Sequence, residues 1–194
     1  ARFSAEGSRE RAEAIGVTTH VADLASDDLN GLPDDFTHLV HFAAWQGKAL
    51  DHDRAIRANA EATGLLMNHC RRATGALIAS TNSVYRPHED PLHRYVETDP
   101  LGDATAPHSP TYGVSKVSQE AVARTMARVL DLPTTIARIN ASYGPNGGLP
   151  AYHGDWVAAG EPVWLREPGP NAYSPIHEDD MARQVEALLE AAST

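Results

Sequence analysis

Ser109-Pro110-Thr111-Tyr112-Gly113-Val114-Ser115-Lys116 places a phenol and an ammonium four residues apart, at the start of an apolar-periodic run that continues to Leu130. At helical spacing those two side chains share one face. Ser109 reads as the N-cap and Pro110 as the first helical residue, so Tyr112 is expected in the first turn, where the positive end of the helix dipole favours an ionised phenol. A free phenol, with a pKa of about 10, is a poor base at neutral pH, and a nearby fixed positive charge favours the phenolate. A solvated Tyr/Lys helix pair has the same spacing, so the motif draws its meaning from its surroundings. Only two lysines, Lys48 and Lys116, occur in the chain.

Outward from this stretch, β-rich runs at residues 17–21, 37–42, 76–80 and 134–139 alternate with helical patterns at 5–15, 53–72, 110–130 and 178–191. Several of the runs are continuously apolar, as strands buried on both faces are. Helix 53–72 carries Ile56, Leu65, Leu66 and Met67, and helix 110–130 carries Val114, Val117, Ala121, Val122, Met126 and Val129, both at a helical period. Repeated βα units of this kind predict an α/β fold with a doubly wound parallel sheet. Residues 86–108 and 145–150, rich in Pro, His, Asp and Gly, read as loops. Ligands of such sheets gather beyond the carboxyl ends of the strands, where Thr81, the Phe42-Ala43-Ala44 turn and the segment after Ile139 are expected.

The composition narrows the function classes. A chain of 194 residues, 42% hydrophobic, can bury a core, and its net charge of −10 with a pI near 5.4 argues against nucleic acid or an anionic membrane as partner. The single cysteine, Cys70, lies in an apolar helical stretch and reads as core. With no apolar run of about 18 residues and no signal-peptide pattern, the expected location is cytoplasmic. The ten histidines show no metal-ligand spacing, so His88 and His93 read as loop residues and no metal is expected.

The ordered set Val21-Ala22-Asp23-Leu24, His41-Phe42-Ala43-Ala44, Ser80-Thr81-Asn82-Ser83-Val84-Tyr85, Tyr112 to Lys116, Tyr143-Gly144-Pro145 and Ile176-His177-Glu178-Asp179-Asp180 resembles the extended short-chain dehydrogenase/reductases, the NAD-dependent epimerase/dehydratase family. The resemblance implies a Rossmann-like sheet and a catalytic set of Thr81, Tyr112 and Lys116. In that set Tyr112 exchanges a proton with a substrate hydroxyl or carbonyl, Thr81 bonds the reacting oxygen, and Lys116 holds the cofactor ribose and lowers the phenol's pKa. It further implies that Asp23 and Leu24 meet the adenine of NAD or NADP, that Ala43 and Ala44 border the cofactor, and that Asn59 supports the site. Trp45, with Gln46 and Lys48 beside it, and Asn82, Ser83 and Ala141 are expected near a small-molecule substrate. His177 and Asp180 read as structural residues at the start of the last helix. A homodimer paired through the helices at 53–72 and 110–130 is also implied.

Three departures qualify the match. No Gly-x-x-Gly-x-x-Gly turn is present for the cofactor pyrophosphate, and Ala1-Arg2-Phe3-Ser4 reads as the end of a second strand. The expectation is therefore a Rossmann-like domain at 1–145 lacking its first βα unit, and a partial substrate-binding lobe with a returning helix at 146–194. Asn82-Ser83 stands where related dehydratases place an acidic pair, which removes the acid and base for elimination. Ala141 holds the place of an asparagine frequent in sugar-nucleotide enzymes, and Arg2 is suited to a 2′-phosphate. The implied activity is an oxidoreductase or epimerase acting on a carbonyl or secondary alcohol, with a non-catalytic dinucleotide sensor or scaffold of the same fold as the alternative.

Overall fold

A computed structural model describes residues 6–26, 28–102, 109–145, 147–163 and 173–192. Helix α1 (Ser8–Ala14) leads to an extended segment and strand β1 (His38–His41). Helix α2 (His52–Ile56), a π-helical turn (Arg57–Glu61) and helix α3 (Ala62–His69) then run nearly continuously into β2 (Gly75–Thr81). Helix α4 (Tyr112–Leu130) and β3 (Thr134–Ile139) follow. The last elements are β4 (Ser142–Tyr143), α5 (Leu149–Ala158), β5 (Ile176–His177) and α6 (Glu178–Ala192).

The sheet runs β1-β2-β3, all parallel, with Leu39 opposite Ala76 and Ile78 opposite Ile136. Every residue of the central strand β2 is buried. Its alternation sends Ala76 and Ile78 into a core with Leu39, Met67, Cys70, Ala123 and Leu132 beneath α3 and α4. Thr135 points to the opposite face, where its hydroxyl donates to the Leu188 carbonyl of α6 at 3.3 Å. Helices thus cover both faces, as a doubly wound sheet requires. A second parallel pair joins β4 to β5, and Gly144 beside it meets the Glu178 side chain so closely that a Cβ would lie 2.3 Å from that carboxyl carbon. Helix α4 ends where Asp131 turns left-handed at φ 50°, and Pro133 follows.

Residues 17–21, expected as a strand, run without a ladder, with Val17 and Val21 49% and 64% exposed. A strand needs a ladder with a neighbouring strand, and among the described residues the Val17 N–H turns back instead to the Ala12 carbonyl at 3.1 Å. Helix 5–15 is shorter than expected and opens after Gly7, in the left-handed conformation at φ 67°. The helical pattern at 53–72 is interrupted by the π turn. The expected loop at 145–150 runs into helix, because α5 opens at Leu149 and Pro150 lies in its first turn, where its missing N–H costs nothing. Ala1 to Ser4, and Arg2 with them, lie outside the described residues.

Candidate active site

The carboxyl ends of β1, β2 and β3 open into a cleft of about 560 Å³. Helix α4 brings its first turn to this rim, but not by the expected cap. Thr111 precedes the helix with no side-chain cap, and Ser109 contributes only its backbone carbonyl, which accepts the Tyr112 N–H at 3.2 Å. Pro110 accordingly sits in the turn rather than the helix. Tyr112 is the first helical residue, half-buried and lining the cleft.

One turn on, Lys116 lies beneath it, with Nζ 5.9 Å from the Tyr112 ring centroid. The ammonium is 2% exposed and donates to the Ala79 carbonyl at 2.6 Å. Burial lowers the Lys116 pKa to about 8, against the opposing effect of Glu120. For Tyr112 the expected direction is reversed. Burial raises the phenol above its ordinary value, and contacts from Gln46 and Thr81 favour the phenolate without overcoming it. Lys116 does not lower it, because its charge is spent on the Ala79 carbonyl and lies below the ring rather than at the hydroxyl.

Thr81 ends β2, lines the cleft and caps the short 3₁₀ turn Asn82–Val84 by accepting the Ser83 N–H at 3.2 Å. Asn82, Ser83, Ala44 and Ala141 line the same cleft, as do Gln46, Asn140, Ser109 and Tyr173. Ala43 and Trp45 do not. Trp45 is turned away over Gly47 and under the Arg54 guanidinium, 5.4 Å from its ring centroid, leaving Gln46 to face the phenol. Asp23 and Leu24 also stand outside the cleft. Asp23 is exposed and accepts the Ala25 N–H at 3.1 Å, opening a short 3₁₀ turn at Leu24–Ser26.

Asn59 ties the two rims together. Fully buried in the π turn, it accepts the Trp45 N–H at 2.6 Å and donates to the Trp45 carbonyl at 3.0 Å and to the Ser115 hydroxyl at 2.9 Å. Ser115 in turn donates to the Tyr112 carbonyl at 2.8 Å. The extra residue of a π turn redirects a side chain that a regular helix would aim elsewhere. Beside it, His41 and Gln119 meet on the Thr63 hydroxyl at 2.9 and 2.8 Å. Burial first, and Lys116 second, lower the His41 pKa to about 4, so it is neutral at pH 7.

Sequence reasoning passed over Glu120, which is 2% exposed. It accepts from Ser80 at 2.6 Å and from Arg138 at 2.9 and 2.8 Å. Its position four residues after Lys116 on the same helical face was the available signal. His177 pairs with Ser142-Tyr143 as part of β5, one residue before the last helix, and its ring meets Tyr143 edge-on. His88 and His93 stack at 4.0 Å in the loop after β2, and no group of metal-ligating side chains occurs among the described residues. Nor, among them, is any helix long and apolar enough to cross a membrane.

This donor set suits the nicotinamide end of a dinucleotide: small Ala44 at a strand end allows close approach, while Tyr112 and Lys116 present a phenol and an ammonium at the rim. Solved structures share the fold. UDP-glucuronic acid 4-epimerase from Bacillus cereus, solved with UDP-glucuronic acid and NAD, is 25% identical, with a TM-score of 0.72 over 93% of this chain and 59% of that one. MoeE5, solved with UDP-glucose and NAD, is 26% identical, with a TM-score of 0.69 over 89% and 58%. The dTDP-glucose 4,6-dehydratase of Bacillus anthracis str. Ames shares the fold at 20% identity, with a TM-score of 0.72 over 98% and 62%. The chain spans about three fifths of the length of these structures, and no curated protein sequence matches it. The family model for the NAD dependent epimerase/dehydratase family matches residues 1–194, and the chain belongs to that family.

Proposed function

We propose that the protein is an NAD-dependent epimerase or oxidoreductase acting on a secondary alcohol or carbonyl of a nucleotide sugar, with Tyr112 as acid/base. The observation carrying this reading is the meeting of Thr81, Tyr112 and Lys116 at one strand rim, in a cleft whose described lining contains no carboxylate. Dehydration needs an acid and a base of its own at the eliminated positions. Asn82 and Ser83 supply neither, so hydride exchange with proton transfer is favoured over elimination. Nucleotide-sugar chemistry is supported by the likeness to MoeE5 and to the Bacillus cereus epimerase.

NAD, when bound, supplies the hydride exchange; Tyr112 and Lys116 would hold its nicotinamide ribose. The Thr81 hydroxyl orients the reacting oxygen toward the phenol. Tyr112, ionised to the phenolate, takes the proton from the hydroxyl to become the phenol, and returns that proton after the oxidised sugar has turned. Gln46, meeting the hydroxyl from the opposite rim, steadies the phenolate that accepts the proton. In this reading residues 1–145 form the cofactor side and 146–194 the substrate side with the returning helix α6. Asp23 and Leu24 serve the adenine end. The protein is cytoplasmic and pairs as a homodimer through the helices at 53–72 and 110–130, where Leu65, Val114 and Val129 stand exposed.

Replacing Tyr112 by Phe lowers turnover by about 10²- to 10⁴-fold with the fold intact by circular dichroism. Undiminished turnover removes Tyr112 from the mechanism. Cofactor binding without hydride exchange across a panel of UDP- and dTDP-sugars assigns the protein to dinucleotide sensing instead.

A further inference from the structure

Lys116 and Glu120, one turn apart on α4, bond to consecutive residues of β2. The Lys116 ammonium is seated on the Ala79 carbonyl at 2.6 Å, and the Glu120 carboxylate accepts from the Ser80 hydroxyl at 2.6 Å. Both residues are 2% exposed. Glu120 does not line the cleft; with Arg138 it lines the adjoining cavity, which shares Asn82, Ile139 and Asn140 with it. It is gripped bidentately by Arg138 of β3, the planar pairing that gives a carboxylate a single orientation. Arg138 continues outward: its Nη1 donates to the Glu97 carbonyl at 3.0 Å, and its guanidinium covers the Tyr85 ring at 4.9 Å.

A buried ammonium with a single carbonyl partner favours losing its proton, because desolvation acts on the charged form alone. Around Lys116, α4 presents Tyr112 and Glu120. Strand β1 presents His41, neutral at pH 7, and β2 the uncharged Ser80 beside the Ala79 carbonyl. The helical segment 57–69 turns uncharged Asn59 and Thr63 to α4, and β3 presents Arg138, already matched by Glu120. Glu120 is thus the one negative charge among the described groups that faces the ammonium.

We propose that Glu120 is a positioning residue: its carboxylate, oriented by Ser80 and Arg138, keeps Lys116 charged and seated on Ala79, and Arg138 anchors that arrangement to the chain around Glu97. Burial opposes ionisation of Glu120 itself, and the hydrogen bonds from Arg138 and Ser80 overcome it, which leaves the carboxylate below its ordinary range and charged. The inference rests on the role given to Lys116 in the proposed function, but its test needs no turnover.

With two lysines in the chain, Lys116 can be followed directly in the full protein by NMR of ε-¹³C-lysine, the Lys48→Arg variant assigning the signals. Lys116 titrates near pH 8 in the unaltered protein. In Glu120→Gln the midpoint falls by about one pH unit. Glu120→Asp, which keeps the charge, restores most of the shift. The double variant Glu120→Gln/Arg138→Gln removes both members of the buried pair, so no guanidinium is left unmatched, and it shifts the midpoint in the same direction. A Lys116 midpoint that holds or rises in either folded Gln variant overturns the proposal. If the midpoint falls as stated but no nucleotide sugar is turned over, the charge arrangement stands and the proposed function fails.

Discussion

Helices α4 and α6 pack against the same two strands, β2 and β3, from opposite faces, yet they differ in what they bury. Helix α6 has the cleaner amphipathic pattern, with Met181, Val185 and Leu189 in register, and no residue of it is fully buried. Helix α4 buries Ser115, Lys116, Gln119 and Glu120 along with Gly113 and Ala123. A helix that only covers a sheet is served by apolar contact on one stripe. One that buries an ammonium, a carboxylate and an amide destabilises the fold unless each is matched, and such groups persist where they serve a site. The contrast predicts that α4 trades stability for chemistry and that α6 does not.

The largest effect is expected at the junction that holds α4 to the opposite rim. Asn59→Ala takes the acceptor from the Trp45 N–H and the donor from the Trp45 carbonyl and the Ser115 hydroxyl, and costs about 3 kcal/mol or more in urea unfolding, together with most of the activity. A loss no larger than that of a surface substitution would mean that the two rims are held by other contacts.

Lys116→Met tests the trade directly. It abolishes turnover but raises stability at pH 7 by about 2 kcal/mol, because a buried charge gives way to an apolar side chain of similar volume. The folded protein binds the Lys116 proton with a midpoint of about 8, against 10.5 for the free side chain. Between those values the unfolded chain holds more protons, so the stability of the unaltered protein rises with pH from about 8 toward 10. The Met variant lacks that rise. Its persistence would place the titration elsewhere.

His41 produces the acid counterpart. Its folded midpoint of about 4 lies below the ordinary 6.5, so the unfolded chain again binds more protons, and stability falls as the pH drops through this window. The expected loss between pH 6.5 and 5 is about 2 kcal/mol by thermal unfolding, and His41→Gln flattens it. The smallest effect belongs to α6. Val185→Ala, half-exposed, costs less than about 1 kcal/mol and leaves turnover unchanged. A loss as large as that at Asn59 would erase the distinction between the two helices.

Much of the site was legible in the chain because its residues sit at fixed offsets within single elements. The four-residue spacing of Tyr112 and Lys116, and Thr81 at the end of an apolar run, follow from helical and strand periods alone. What was misread depended on partners distant in sequence. Residues 17–21 have the composition of a strand and join no sheet among the described residues. Trp45 and Gln46 are adjacent, and Asn59, 14 residues on, decides which of them faces the cleft.

The amino-acid order alone determined the periodic elements, the parallel α/β arrangement and the pairing of phenol and ammonium on one helical face, since each is set by local backbone geometry. Tertiary structure decided the electrostatics. Burial, rather than the neighbouring charge, sets the direction of the Tyr112 phenol, and Glu120 and Arg138, brought together from a helix and a strand, hold the charge beside Lys116. Desolvation and long-range pairing depend on what surrounds a group in space, and spacing along the chain does not carry that information.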